Sequence, residues 1–130
     1  GEGNGGPIDP SVGYIRDSFV GMVRILDLMT REAASVSQIV SKLPVLAIEK
    51  TKIPVEPSRV ALLLDLLSAQ FSNEEQSRQD GLKITWPNGE WLLVRGSNTE
   101  PIVRAIAEGP SSERSLELCG IAAQCAAQLD

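Results

Sequence analysis

The pattern that most restricts the fold is a pair of alternating segments joined by a tight-turn sequence. Leu82, Ile84 and Trp86 alternate with polar residues, and a second segment from Trp91 to Arg95 follows Pro87-Asn88-Gly89. Asn-Gly between two alternating segments is the strongest short-range signal for a β-hairpin, because both residues tolerate a positive φ. The sequence therefore predicts two antiparallel strands here.

Further elements surround this hairpin in the C-terminal part of the chain. The predicted elements are strands over residues 46–53 and 102–108, and helices over residues 58–71 and 111–129. Ser58 can cap the first of these helices, and Ser111 or Ser112 the second. The polar segment 72–80 is predicted to be a solvated loop. The order of elements predicts an α+β domain with a four-stranded, mainly antiparallel sheet and its helices on one face.

The N-terminal part is predicted to be helical. A glycine- and proline-rich loop precedes Asp17-Ser18, which predicts the start of a helix that ends near Ala33. Its apolar residues recur every three or four positions and predict one buried stripe, formed by Ile15, Phe19, Met22, Leu26, Met29 and Ala33. Ser35 and Gln38 fit a capping box for a short second helix, which Pro44 stops. We place a domain boundary near Pro44, between residues 1–43 and 44–130, and the helices before it need a sheet that this chain lacks.

Composition excludes several classes of function. The chain has 17 acidic and 12 basic residues, whereas a nucleic-acid-binding protein needs a basic face to neutralise phosphates. It has no histidine, which excludes a Ser-His-Asp triad, a Cys-His site and an ordinary zinc site. No apolar run is long enough to cross a bilayer. Cys119 and Cys125 are predicted to be buried thiols in a reducing compartment, and the chain is predicted to be cytoplasmic.

One loop has the composition of an anion-binding site. Arg95-Gly96-Ser97-Asn98-Thr99-Glu100-Pro101 connects two predicted strands, and Arg104 follows early in the second. The two arginines can therefore converge on hydroxyl, amide and backbone N–H groups, a donor set that suits a phosphate dianion. Glu100 and Glu108 can hold the arginines in place. The alternative is a plain turn with two surface arginines paired to nearby carboxylates.

The N-terminal segment Gly1-Glu2-Gly3-Asn4-Gly5-Gly6 is the second candidate site. Its glycines let the backbone approach a ligand closely, and Glu2 and Asn4 offer hydrogen bonds that suit sugar hydroxyls. It is no dinucleotide-binding fingerprint, because no strand precedes it. The alternative is a flexible chain end.

Together the two segments resemble the α-D-phosphohexomutases, the phosphoglucomutase and phosphomannomutase group. The first is similar to that family's sugar-recognition loop, and the second, with Arg104 and Glu108, is similar to the phosphate-binding loop of its C-terminal domain. The helix start Gly13-Tyr14-Ile15-Arg16-Asp17 also resembles the family. The resemblance implies the helical end of a third, α/β domain over residues 1–43. It implies a complete fourth domain, with a fold like the TATA-box-binding protein, over residues 44–130.

The resemblance also implies a role for each matching residue. Glu2 would contact hydroxyls of the hexose ring, with Asn4 at a position where many members have serine. The clamp for the phosphate that is not transferred would consist of Arg95, Ser97, Asn98, Thr99 and Arg104. The implied reaction shifts phosphate between the 1- and 6-positions of a hexose. An enzyme phosphoserine donates its phosphate, and the resulting bisphosphate turns over and returns its other phosphate.

The family's reacting groups do not occur in this sequence. It has no Thr-Ala-Ser-His-Asn-Pro-like segment for the phosphoserine and no Asp-Gly-Asp-x-Asp cluster for a magnesium ion. We therefore expect a C-terminal part of a mutase that is inactive alone. It would depend on N-terminal domains of the same chain, and on Mg²⁺ held there, to act on a hexose phosphate. Two alternatives stay open: part of a phosphoglucosamine mutase, and a stand-alone phosphosugar-binding module without catalysis.

Overall fold

A computed structural model describes residues 6–129 of the chain. The fold falls into two compact units, Gly1–Pro44 and Val45–Asp130, and each is described by itself. Glu2 and Asn4 of the candidate sugar loop lie outside the described residues. The assignment of the first unit to the end of a preceding domain stays a prediction.

Both helices of the first unit begin at the predicted caps. Helix α1 spans Ser18–Glu32, and the Asp17 carboxylate accepts hydrogen bonds from the N–H groups of Phe19 and Val20. The helix ends at Ala33, which adopts the left-handed conformation with φ 47°. Helix α2 spans Val36–Val40, and its capping box between Ser35 and Gln38 is confirmed. The helix ends four residues before Pro44, earlier than predicted.

The apolar stripe of α1 is not buried, which corrects the sequence-based expectation. Phe19 is 78% exposed, and Met22 and Leu26 are exposed as well. The physical reason is that this unit contributes no sheet for the stripe to cover. Contacts from the preceding loop lie elsewhere on the helix: a Cβ on Gly21 would stand only 2.9 Å from Pro7 Cγ. Arg24 also forms an ion pair with Asp9.

The second unit is an α+β domain built on an antiparallel sheet. The strands are β1 (Ala47–Pro54), β2 (Glu75–Ser77), β3 (Leu82–Thr85), β4 (Trp91–Gly96) and β5 (Ile102–Gly109), in the order β1-β5-β4-β3-β2. The helices are α3 (Val60–Gln70) and α4 (Ser112–Ala127). The predicted hairpin is confirmed, because β3 pairs with β4 and Thr85 lies opposite Trp91.

Two details of this domain differ from the prediction. The sheet has five strands instead of four, because residues 75–77, predicted as loop, pair with β3 along an edge of the sheet. Ser58 does not cap α3: it lies in a 3-10 turn, Pro57–Arg59, and the helix begins at Val60 without a side-chain cap. The fixed φ of Pro57 favours such a turn at a helix start. The cap of α4 is Ser111, as predicted.

The core lies between one face of the sheet and helices α3 and α4. Alternate strand residues point into it, namely Leu82, Ile84, Leu92, Val94, Val103, Ala105 and Ala107. Leu63 and Leu67 of α3 and Leu118 of α4 are fully buried against them. Cys119 and Cys125 are free and buried, as predicted, and burial raises the pKa of both thiols. None of the described helices has the length and apolar character that crossing a membrane requires.

Candidate anion-binding site

The loop between β4 and β5 presents several unused hydrogen-bond donors. It is closed at its base, where the Ser97 N–H donates to the Ile102 carbonyl at 3.0 Å. At its tip, the Thr99 N–H donates to Ser97 Oγ at 3.4 Å. Within residues 6–129, the backbone N–H groups of Asn98 and Glu100 and the Asn98 side-chain amide have no hydrogen-bond partner. These groups are free to bind an anion.

Arg95 and Arg104 lie directly opposite each other at the base of this loop. Strands β4 and β5 pair so that Arg95 faces Arg104 and Gly96 faces Val103. Because Val103 points into the core, the two arginines project from the opposite face of the sheet. Like charges on directly paired residues destabilise a sheet. The arrangement therefore favours a bound anion, and the predicted convergence of the two arginines on the loop agrees with the observed register.

The row of positive charge continues onto β1. Lys52 is paired with Arg104, so three cationic side chains stand side by side across β1, β5 and β4. Two carboxylates lie at its margins. Asp80 Oδ2 is 3.3 Å from Arg95 Nη1, and Glu100 Oε2 is 3.3 Å from Lys52 Nζ.

Arg104 has only a weak partner of its own. Its Nη2 atom is 3.8 Å from Glu100 Oε2, beyond hydrogen-bond distance. Its Nε is buried, with no hydrogen-bond partner among the described residues. A buried donor without a partner is costly, and an anion placed beside this guanidinium would supply one.

Two glycines allow the close packing that this site requires. A Cβ on Gly81, where φ is +83°, would stand 2.3 Å from the Val94 carbonyl oxygen and 2.7 Å from Arg95 Cβ. A Cβ on Gly96 would stand 3.3 Å from Val60 Cγ1. Val60 is the first residue of α3 and packs against the core, so this contact fixes the end of β4 against the helix on the core face of the sheet.

Glu108 does not support the arginines, contrary to expectation. It lies on the same strand face as Arg104 but four residues further along β5, opposite Trp91. Its Oε1 accepts a hydrogen bond from Trp91 Nε1 at 3.0 Å. Glu100 lies beside Arg104, and the site also includes two residues that sequence reasoning missed, Lys52 and Asp80. The alternation in β1 places Lys52 on the exposed face of the strand. Only the β1–β5 register brings it beside Arg104.

The part of the chain that the structure describes offers no site for a metal ion. No group of three or more Asp, Glu, Cys or His side chains converges within residues 6–129. The donor set around the arginines consists of cations, hydroxyls and N–H groups, which suits an anion and not Mg²⁺.

Comparison with known proteins gives the site its context. Residues 47–124, from β1 into α4, match the family described as "Phosphoglucomutase/phosphomannomutase, C-terminal domain". The chain belongs to this family. The match covers the whole candidate loop and confirms the resemblance that the loop suggests.

Several members of the family are similar over most of this chain. A "Phosphoglucomutase/phosphomannomutase" from Thermococcus kodakarensis is 34% identical over 118 residues, which are 90% of this chain and 26% of the relative. A "Phosphoglucosamine/phosphogalactosamine mutase" from Sulfurisphaera tokodaii is 33% identical over 82% of this chain and 24% of its own length. A "Phosphopentomutase" from Thermococcus kodakarensis is 28% identical over 85% of this chain and 26% of its own length. The chain thus spans about a quarter of the length of the relatives it matches.

Proposed function

We propose that this chain is the C-terminal part of a phosphohexomutase and holds the phosphate that is not being transferred. One observation carries the proposal: Arg95 and Arg104 are directly paired across β4 and β5, beside a loop with unused N–H donors. Guanidinium groups bind phosphate through two parallel hydrogen bonds each. The hydroxyls of Ser97 and Thr99 and the amide of Asn98 would complete the clamp.

The clamp suits a sugar that must bind in two orientations. A bisphosphate intermediate has to present first one phosphate and then the other for transfer, so the stationary end is alternately the 1- and the 6-phosphate. Donors that contact only phosphate oxygens accept either end. Contacts to the sugar would come from Glu2 and Asn4, in the segment just before Pro7. The contribution of this chain would be positioning and charge neutralisation.

In this proposal, the reacting groups belong to parts of the mutase outside this chain. The phosphoserine is one of them, and a magnesium ion, which neutralises charge on a phosphate under transfer, is the other. The residues described here do not fit that ion. The chain by itself would therefore bind a phosphosugar without turning it over. We place this function in the cytoplasm, where thiols such as Cys119 and Cys125 stay reduced.

The identity of the sugar is the point on which relatives diverge. The names of the relatives refer to mutases of glucose, mannose, glucosamine, galactosamine and pentose phosphates. A phosphoglucosamine mutase is therefore the second candidate. A stand-alone phosphosugar-binding module without catalysis is the third.

A binding experiment on the 130-residue chain tests the proposal. Titration of ¹⁵N-labelled protein with glucose 1-phosphate should shift the amide signals of residues 95–104. Arg104→Ala should weaken the affinity by about tenfold or more, because a charge-assisted hydrogen-bond pair is lost. Arg78→Ala is the matched control: it removes an equal charge from an exposed pair with Asp65 and should leave the affinity unchanged. Failure of residues 95–104 to respond would contradict the proposal.

Parallel titrations address the choice of sugar. Mannose 1-phosphate, glucosamine 6-phosphate and inorganic phosphate serve as the comparison ligands. If glucosamine 6-phosphate binds several-fold more tightly than the others, the second candidate is favoured. Equal affinity for inorganic phosphate would mean that this chain recognises the phosphate alone. In the natural protein, a serine loop and an acidic metal loop encoded upstream would exclude the stand-alone module.

A further inference from the structure

Lys52 stands apart from the residues that the anion-binding loop contributes. It lies on β1, 43 positions before Arg95 in the chain, and reaches the site only through the pairing of β1 with β5. Its side chain is 66% exposed, so it does not serve the core. Both Glu100 carboxylate oxygens lie within 3.4 Å of its Nζ atom.

Glu100 creates a problem for phosphate binding that Lys52 can resolve. The carboxylate lies next to the same guanidinium that would bind phosphate, with 3.8 Å between Glu100 Oε2 and Arg104 Nη2. A carboxylate and a phosphate both seek the planar donors of arginine, so Glu100 is an internal competitor. In the structure, its short contacts go to Lys52, and Arg104 Nε stays without a partner.

We propose that Lys52 is a positioning residue that holds the Glu100 carboxylate away from Arg104 and so keeps the guanidinium available to phosphate. This inference rests on the proposed function of the loop. Without Lys52, the cation next to Glu100 is Arg104, and the carboxylate would move onto it. Lys52 itself does not contact the phosphate; it acts through Glu100.

The proposal predicts a specific pattern of affinities for inorganic phosphate and glucose 1-phosphate in the 130-residue chain. Lys52→Gln should weaken binding about fivefold, the scale of one partly exposed ion pair. Lys52→Arg should restore it. The double variant Lys52→Gln/Glu100→Gln should bind within about twofold of Glu100→Gln alone, because the competitor is gone.

Lys50 provides the matched control. It lies on the same strand and the same face as Lys52, is exposed, and is paired with Ile106 instead of an arginine. Lys50→Gln removes the same charge and should leave the affinity unchanged. Thermal unfolding of each variant should show that these exposed substitutions leave the fold intact.

Other outcomes overturn the proposal. A double variant as weak as Lys52→Gln would mean that Lys52 binds phosphate directly. Equal losses in Lys50→Gln and Lys52→Gln would mean that only net charge matters. Failure of the proposed function would give a different result. The unsubstituted chain would then not bind phosphate, or Arg104→Ala would bind phosphate as tightly as the unsubstituted chain.

Discussion

Gly81 and Gly89 both have a positive φ, yet their surroundings differ. Gly89 closes the hairpin turn, and a Cβ there would have no heavy atom within 4 Å. Gly81 precedes β3 and lies against the backbone of Val94 and Arg95, with no room for a Cβ. The first glycine is required by its conformation alone, whereas the second is required by both conformation and space.

The two glycines form a matched pair for substitution. Gly89→Ala should lower the free energy of unfolding by about 1 kcal/mol, the cost of a left-handed alanine. Gly81→Ala should lower it by about 3 kcal/mol or more, because the clash adds to that cost. It should also weaken phosphate binding by displacing Arg95. Denaturant unfolding and titration with phosphate measure both effects, and equal losses of stability would contradict the packing argument.

At the scale of single residues, the sequence predicts the features that depend on neighbours along the chain. The turn glycine, the Asp17 and Ser111 caps and the Ser35–Gln38 box all follow from local chemistry and are confirmed. The role of Gly81 depends on which strand lies beside it, and no local pattern predicts that.

At the scale of elements, an ion pair ties the hairpin turn to the start of α4. Glu90 is buried, and its carboxylate accepts hydrogen bonds from Arg114 Nε and Nη2, the latter at 2.9 Å. These bonds hold the pKa of Glu90 below its usual value, against the opposing effect of burial. Since the folded-state pKa is lowered, the stabilisation is complete above the unfolded pKa of about 4.3 and is lost as pH falls through the folded value.

The pair predicts a specific acid sensitivity. Glu90→Gln should lower the free energy of unfolding at pH 7 by about 1 to 2 kcal/mol, and should flatten its decline between about pH 5 and 3. Glu117, which pairs with the same arginine but is exposed, is the matched control: Glu117→Gln should cost less than about 0.5 kcal/mol. Urea unfolding over this pH range measures both effects. If the free energy of unfolding of Glu90→Gln fell with pH as steeply as that of the unsubstituted chain, the assignment would be contradicted.

The sequence predicts the type of most elements in the sheet but not their lateral order. The apolar alternation in β3, β4 and β5 predicts these strands well, whereas β2 was missed because Glu75 and Ser77 form a polar edge strand. The antiparallel pairing of β1 with β5 joins segments about 55 residues apart. That register brings Lys52 to Arg104, which is why the local sequence indicates the candidate loop but not its flanking lysine.

At the scale of the whole molecule, the two units differ in what holds them together. In the first unit, none of residues 6–44 is buried, and the apolar stripe of α1 is exposed. Among residues 6–129, the buried core residues all lie in the second unit. The sequence predicts the boundary at Pro44 and the lack of a sheet before it. It does not predict that the α1 stripe is exposed, because the exposure depends on whether this unit supplies an element to cover the stripe.

This asymmetry predicts that residues 45–130 fold without the first unit. The six residues 41–46 are all exposed, so trypsin should cleave the native chain after Lys42 before it cleaves at Lys50 or Lys52, whose backbone is paired in the sheet. The isolated segment 45–130 should unfold within about 4 °C of the full chain, a shift that corresponds to less than about 1 kcal/mol. It should also bind phosphate with the same affinity, since Lys52, Arg95 and Arg104 all lie within it. A large drop in Tm would show instead that the helices before Pro44 stabilise the domain.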